Sequence, residues 1–295
     1  MSALVVVGMA YLEVFVPPHR RPAPGEERFV DGIHLGLGGA FNTASVAAAL
    51  GLPVTLCAPV GGGIADLAVA ALAHRLGIAL EPLAARDDPA ISLVFSSQGE
   101  RSFLSSADLE ALARIDILPA GAWVHVPGLE EAARLEAPLR RARANGARVS
   151  VSASWSPAQL ALLTQQRDQP WDLLVLNEKE AEAACGDVAE APAVLSGAAR
   201  SVVVTLGAAG AFGVIDGVAV RTAAEPSEPG ATLDTTGAGD AFCGGLLAAL
   251  GRDAAPQAAL RCASRAAAHI LKQRGGLLAD PALMAAMAEE MQWIH

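Results

Sequence analysis

The sequence predicts an α/β protein with a mostly parallel sheet, helices on both faces, and a small accessory sheet beside it. Three observations carry that expectation. From Trp123 onward, short apolar runs alternate with longer helix-compatible segments, the pattern that buries a parallel sheet between helices. Earlier in the chain, strand-like stretches near 13–16, 28–35, 91–96 and 101–105 lack that alternation, so they form no crossover unit and read as a separate lid. Finally, 53% of the 295 residues are hydrophobic but only 4% aromatic, so a large core must be built from Ala, Val and Leu. The expected organisation is one domain over 1–295, with a lid sheet drawn from approximately 12–36 and 90–105.

Taken in order, residues 3–8 form a β-branched run closing on Gly8, a buried parallel strand. The 13–16 stretch meets Pro17-Pro18, which marks an edge or terminal strand. Residues 19–27 are rich in Pro, Arg and Glu and read as an exposed loop, followed by a strand at 28–35. A glycine-rich loop at 36–39 opens a helix over 40–50, stopped by Gly51. A strand at 54–59, a helix at 64–76 ending at Gly77, and a strand at 78–83 follow. The lid hairpin turns at Ser97-Gln98-Gly99-Glu100. Sheet strands are expected at 123–126, 147–151, 173–176 and 201–206, with helices at 130–144, 157–163 and 178–185. Residues 211–215 and 218–221, joined by Asp216-Gly217, form an edge hairpin. Three helices, 240–250, 256–272 and 281–293, close the chain.

Charge and composition exclude several classes. A net charge of −10 argues against nucleic-acid binding, which relies on Lys and Arg neutralising phosphates. Lys179 and Lys272 are the two lysines, and neither follows a glycine-rich loop, so there is no Walker A motif and no protein-kinase signature. Cys57, Cys185, Cys243 and Cys262 are far apart and form no C-x-x-C pair. His34, His74, His125 and His269 are scattered without metal spacing. There is no signal-like start and no apolar run of about 18 residues, which predicts a cytoplasmic protein without a membrane contact.

Residues 233–247 are the stretch on which function turns. A polar loop with two acids, two threonines and two glycines runs directly into an Ala- and Leu-rich helix. Small residues at Gly237, Ala238 and Gly239 let a ligand approach the backbone, and the unpaired N–H groups of the helix start suit an anion. Asp240 then puts a carboxylate at an anion site. It reads either as a helix cap or as a catalytic base, and the loop alone leaves both open.

Four motifs in order decide the matter by likeness. Gly38-Gly39-Ala40-Phe41-Asn42-Thr43-Ala44, with Gly51 and Gly61 beyond it, resembles the first signature of the ribokinase-like (PfkB) carbohydrate kinases. Asp234-Thr235-Thr236-Gly237-Ala238-Gly239-Asp240 resembles the second, Asn177-Glu178-Lys179-Glu180 its N-x-x-E motif, and Thr205 to Gly210 its nucleotide loop. The resemblance implies a ribokinase-like three-layer αβα fold with a β-sheet lid. It also implies transfer of the ATP γ-phosphate to a hydroxyl of a sugar-like acceptor. In that family pattern Asp240 is the base, and the Gly237, Ala238 and Gly239 N–H groups hold the transferring phosphoryl group. Asn177 and Glu180 would hold Mg²⁺ largely through water. Asp234 and Thr236 would brace a monovalent cation such as K⁺, with carbonyls of Gln273 to Gly276 completing the site. Thr205, Gly207, Gly210 and Ser264 would border ATP, and Gly38, Gly39, Asn42 and Glu13 would bind the acceptor.

Each assignment has a structural alternative: a turn-capping acid for Asp234, a helix-start acid for Glu180, a helix-start amide for Asn42 and a mid-helix hydroxyl for Ser264. Two departures stand out. Glu13 replaces a family Asp and either reaches sugar hydroxyls or faces solvent. Gly63 stands where the family carries Asp after its first signature. Tyr11 either stacks on an acceptor ring or is a packing residue with a satisfied hydroxyl, and Trp155 reads as isolated. A nucleoside kinase on the same fold is the near rival. A non-catalytic metabolite- or nucleotide-binding module is the rival from another class, disfavoured by the intact Asp240 and anion loop. The lid, with free strand edges, is the expected place for a homodimer contact.

Overall fold

The computed structural model describes residues 2–17, 22–97, 100–225 and 234–291. The chain begins β1 (Ser2–Val7), β2 (Ala10–Val16), β3 (His34–Gly39), α1 (Ala40–Ala49), β4 (Val54–Val60), α2 (Ile64–Arg75), β5 (Ala79–Ala84), β6 (Ala90–Ser97), β7 (Glu100–Ala107), α3 (Glu110–Ala113) and β8 (Gly121–Val126). It continues α4 (Leu129–Arg134), α5 (Glu136–Ala144), β9 (Arg148–Ser152), α6 (Pro157–Leu163), β10 (Trp171–Asn177), α7 (Glu178–Cys185), α8 (Ala191–Val194) and β11 (Ala199–Thr205). The hairpin β12 (Ala211–Ile215) and β13 (Val218–Thr222) then precedes α9 (Ala238–Leu250), α10 (Pro256–Ile270) and α11 (Pro281–Glu290).

Nine strands form one sheet in the order β13-β12-β11-β10-β9-β8-β1-β4-β5. Every neighbouring pair from β5 to β11 is parallel, and β12 alone runs against the others, so both of its pairings, with β11 and β13, are antiparallel. Strand residues alternate between two apolar layers. Leu4 and Val6 face a layer with Phe41 of α1 and Leu246 of α9, while Val5 and Val7 face one with Leu135, Leu139 and Leu160. Burial on both faces is why these strands read as continuous apolar runs. The order reverses at β1, with β4 on one side and β8 on the other, which opens a crevice beyond its carboxyl end.

Helix starts follow the sequence closely where proline marks the first turn, at Pro157, Pro256 and Pro281. The helix expected over 130–144 is instead two, α4 and α5, meeting at Leu135. Pro138 explains the break, since it lacks an N–H and its ring crowds the carbonyl of Arg134.

The lid is a four-stranded sheet, β3-β2-β6-β7. Two expectations needed correction. β2 is interior, because Pro17 lies beyond its last paired residue and interrupts no ladder. The third strand covers His34–Gly39 rather than 28–35, so the glycine-rich stretch is strand, not loop. Glycines survive there because neighbouring side chains fill the space above them. A methyl on Gly36 would come 3.2 Å from the Phe15 ring, and one on Gly39 would come 2.9 Å from the Tyr11 ring. At the departure after β4, the carboxylate of Asp88 occupies the space beside Gly63 and accepts the Ala65 N–H, while Asp66 caps Gly63. His19, Arg20 and Arg21 of the expected loop, Gln98 and Gly99 of the hairpin turn, Leu233, and Trp293 of the last helix lie outside the described residues. Among the described residues no helix is long and apolar enough to cross a membrane.

Candidate active site

The site begins where the lid leaves the sheet. Gly8 and Met9 carry the chain from β1 into β2, and Gly39 and Ala40 bring it back from β3 into α1. The two crossings are bonded side by side, with the Ala40 N–H donating to the Met9 carbonyl at 2.9 Å. Gly39 sits at φ +64, and a side-chain carbon there would lie 2.3 Å from the Met9 carbonyl oxygen, so the crossing requires glycine.

The start of α9 is held by a second pair of backbones. Gly237 caps the helix at φ +75, with Gly276 directly against it. Asp234, 4% exposed, joins the two turns: its Oδ1 accepts the Thr236 N–H at 2.8 Å and its Oδ2 the Gly275 N–H at 2.6 Å. The Ala238 N–H donates to the Thr235 carbonyl, and the Ala241 N–H to Gly237. Between them, the N–H groups of Gly239 and Asp240 meet no backbone acceptor among the described residues. A carbon added at Gly239 would touch nothing, so open space lies in front of them.

Asp240 is tied to α1. Its Oδ2 accepts the Asn42 side-chain amide at 2.9 Å, and its carbonyl accepts the Thr43 hydroxyl at 3.2 Å. Asn42 is 2% exposed, and its Oδ1 has no hydrogen-bond partner among the described residues. Burial pushes the Asp240 carboxyl up to about 6, and the Asn42 donor only partly offsets this.

Two cavities meet at Asp240. One, of about 170 Å³, is bordered by Asn177, Glu180, Thr205, Gly239, Asp240 and Cys243. The other, of about 340 Å³, is bordered by Tyr11, Gly39, Leu109, Glu131, Trp155 and Asp240. A larger cleft of about 540 Å³ between α5 and α6 is lined by none of the motif residues.

Asn177 and Glu180 form a reciprocal cap on α7: Asn177 Oδ1 accepts the Glu180 N–H and Glu180 Oε2 the Asn177 N–H, each at 2.9 Å. Burial raises the Glu180 pKa. The cap accounts structurally for both residues, yet both also border the first cavity. Among the described residues no group of three or more His, Cys, Asp or Glu could hold a metal. A Mg²⁺ ion there would keep most of its water, which suits its coordination chemistry.

The remaining motif residues are distributed unevenly. Gly207 is at φ +55 with open space around it. Gly210, at φ +95, is needed for packing, since a side chain would strike the Thr222 carbonyl. Ser264 is buried on α10 with its hydroxyl on the Ala223 carbonyl and borders neither cavity. Glu13 is 6% exposed and packs over Gly38, so it does not face solvent. Glu13, Gly38 and Asn42 line neither cavity, although Gly39 and Asp240, their neighbours in sequence and by hydrogen bond, line the second.

Sequence reading overlooked Glu131 and left Trp155 as an isolated residue, whereas Tyr11, weighed there as a ring-stacking residue, does border the second cavity. The available signal was position: Glu131 follows the carboxyl end of β8, beside the switch point. His34 and Arg274 are also in contact, at 3.0 Å, between the lid and the turn that braces Asp234.

Comparison with known proteins gives consistent findings. A model of the pfkB family of carbohydrate kinases matches residues 1–283. The structure is similar to adenosine kinase from Sinorhizobium meliloti, with 19% identity, coverage of 98% of this chain and 99% of that one, and a TM-score of 0.77. It is similar to phosphofructokinase-2 from Escherichia coli in complex with potassium, with 22% identity, 99% coverage of both chains and a TM-score of 0.74. It is also similar to Arabidopsis thaliana ribokinase complexed with ribose and ATP, with 20% identity, coverage of 98% and 99%, and a TM-score of 0.71.

Proposed function

The chain belongs to the pfkB family of carbohydrate kinases and is a phosphotransferase with an alcohol acceptor; from that premise we propose that it transfers the γ-phosphate of ATP to a hydroxyl of a sugar-like molecule, with Asp240 as base. The observation that carries this reading is the shared position of Asp240 between the two cavities. The acceptor occupies the cavity under the lid, and the phosphates enter the one bordered by Gly239. The Asp240 carboxylate takes the proton of the attacking hydroxyl while Asn42 orients it. The free N–H groups of Gly239 and Asp240 receive the negative charge of the transferring group. Mg²⁺, held through water by Asn177 and Glu180, supplies charge neutralisation when bound. Thr205 and Gly207 border the nucleotide. Asp234 already has both carboxylate oxygens on backbone N–H groups, so the brace forms without an ion, and a K⁺ ion bound by carbonyls of the loop would add to it.

A nucleoside acceptor is the second reading. Tyr11, Leu109 and Trp155 on the acceptor cavity favour it, since they offer flat or apolar contact to a base. ATP consumption measured against pentoses, hexoses and nucleosides tests both readings, and no acceptor-dependent ADP formation with any of them would refute the kinase assignment.

The raised pKa makes the pH dependence specific. Asp240 must be ionised to accept a proton, so kcat/KM is expected to rise with pH through about 6 and level above it. Below that value it should fall about tenfold per pH unit. Full activity well below that range, in acid where the carboxyl is protonated, would contradict the role of Asp240 as base.

The lid is the proposed homodimer contact. Ile33, Leu35, Phe103 and Leu104 are exposed on it by 57%, 69%, 54% and 64%. Such a concentration of apolar surface favours pairing. Light scattering should show a dimer for the native chain and a monomer for Leu35→Glu; a native monomer at micromolar concentration would refute the contact.

A further inference from the structure

Glu131 is a carboxylate that the proposed chemistry leaves unused. It is 8% exposed on α4, beyond the carboxyl end of β8. Its Oε1 accepts the Met9 N–H at 2.8 Å, at the crossing where the chain enters the lid. Its Oε2 lies over Gly128, where a side-chain carbon would approach within 3.2 Å. Gly128 and Glu131 both border the acceptor cavity, and Oε2 makes no hydrogen bond among the described residues. That oxygen is open to the cavity and not sealed in the core, so a donor on a bound molecule can reach it in place of solvent.

The electrostatics set the pH range in which that oxygen is a charged acceptor: above about pH 7 Glu131 is mostly ionised, and below it protonation weakens both its acceptance and its repulsion of anions. Burial pushes the Glu131 carboxyl up to about 7, the Met9 N–H opposes this, and the negative charge of Asp240 adds to it. Burial and the Glu131 charge both raise the Tyr11 phenol, so that hydroxyl stays a donor. Two carboxylates that feel one another across a cavity repel any further anion placed between them.

We propose that Glu131 sets acceptor specificity: its Oε2 accepts a hydrogen from a hydroxyl or amino group of the acceptor, and its charge with that of Asp240 turns away acceptors bearing a phosphate or carboxylate. The acceptor class is therefore an uncharged or amino-bearing polyol, free sugar or nucleoside. This rests on the kinase reading for the location of the acceptor and goes beyond it in naming the class.

Glu131→Gln is the informative variant. Its amide oxygen keeps the Met9 contact, while its NH₂ group presents donors where Oε2 presented an acceptor. Calorimetric binding to the full-length protein without ATP, and ATP consumption, would be measured in alkaline buffer, about 1.5 pH units above the Glu131 value so that its carboxyl is ionised, with D-ribose, adenosine, D-glucosamine, D-ribose 5-phosphate and D-gluconate. The native protein should bind at least one of the first three more than tenfold tighter than either anion. In Glu131→Gln that ratio should shrink about tenfold or more, with the melting temperature maintained or raised. An anion bound best by the native protein, an unchanged ratio in the folded variant, or no binding of any of the five would overturn the proposal. Selective binding without ATP consumption would instead refute the kinase reading and leave the specificity assignment standing. If Glu131→Gln fails to fold, the native binding order still decides the class, and Glu131→Asp, which keeps the charge, should retain that order.

Discussion

Asp240→Asn is expected to lower kcat by about 10²–10⁴-fold, the usual contribution of a positioned base, while making the protein more stable at neutral pH. Both effects come from the same carboxylate. The amide of the variant cannot accept the proton, but its oxygen can still accept the Asn42 side-chain N–H. The native carboxyl is raised from 3.8 to about 6. A raised acid favours the folded state in its protonated form. That contribution is fully present below the unfolded value and is lost as pH rises through about 6. Well above that value the native protein thus carries the full burden of a buried charge, and the variant carries none. The shift corresponds to roughly 3 kcal/mol if fully expressed. Partial solvation of the half-buried Asp240 reduces this to about 1–2 kcal/mol. The melting temperature of the variant should exceed that of the native protein by about 2–4 °C in mildly alkaline buffer, and the gap should close in acid as the native carboxyl is protonated. Glu131 adds to the trend, because removing the Asp240 charge eases its own ionisation. A variant with normal turnover would remove Asp240 from the chemistry. A variant destabilised in alkaline buffer would show that the native carboxylate is solvated or paired and stabilises the fold.

The second large effect separates two glycines of one loop. Gly237→Ala is expected to destabilise the protein by about 3 kcal/mol and to lower activity with it. Its φ of +75 disfavours any side chain, and the added carbon would lie 2.2 Å from the Gly276 Cα. The only relief is to push apart the two turns that Asp234 joins. Gly239→Ala behaves differently. It lies inside α9 and the added carbon meets nothing. Alanine there should leave stability unchanged or raise it by up to about 1 kcal/mol. Activity should still fall about 10²–10³-fold, because the methyl fills the space in front of the free N–H groups. Thermal unfolding beside steady-state kinetics distinguishes the pair. If Gly239→Ala retained full activity, the space at the α9 N-terminus would not be where phosphate binds.

This contrast shows how far a sequence can be read. Gly237 and Gly239 are equivalent in a motif, since both are small residues before a helix. Only the approach of Gly276, from the turn beyond α10, makes one a packing requirement and leaves the other facing a cavity. Gly210 likewise looks like a nucleotide-loop glycine, but contact with the Thr222 carbonyl already demands it. The glycines of 36–39 looked like a loop because strand propensity undervalues them. The bulk that completes their sheet is supplied by Tyr11, Glu13 and Phe15 of the neighbouring strand.

By itself the sequence determined the two-layered apolar core, the parallel order of strand and helix, and the loop that ends at Asp240. These depend on residue spacing and local backbone preference, both written along the chain. Tertiary structure alone decided that Asn42, 198 positions away, holds the Asp240 carboxylate, and that Glu131 enters the same cavity from another strand end. The physical reason is that desolvation and charge coupling depend on distance in space. Helices α1, α4 and α9 come from remote parts of the chain, and only the reversal of strand order at β1 brings their ends to one crevice.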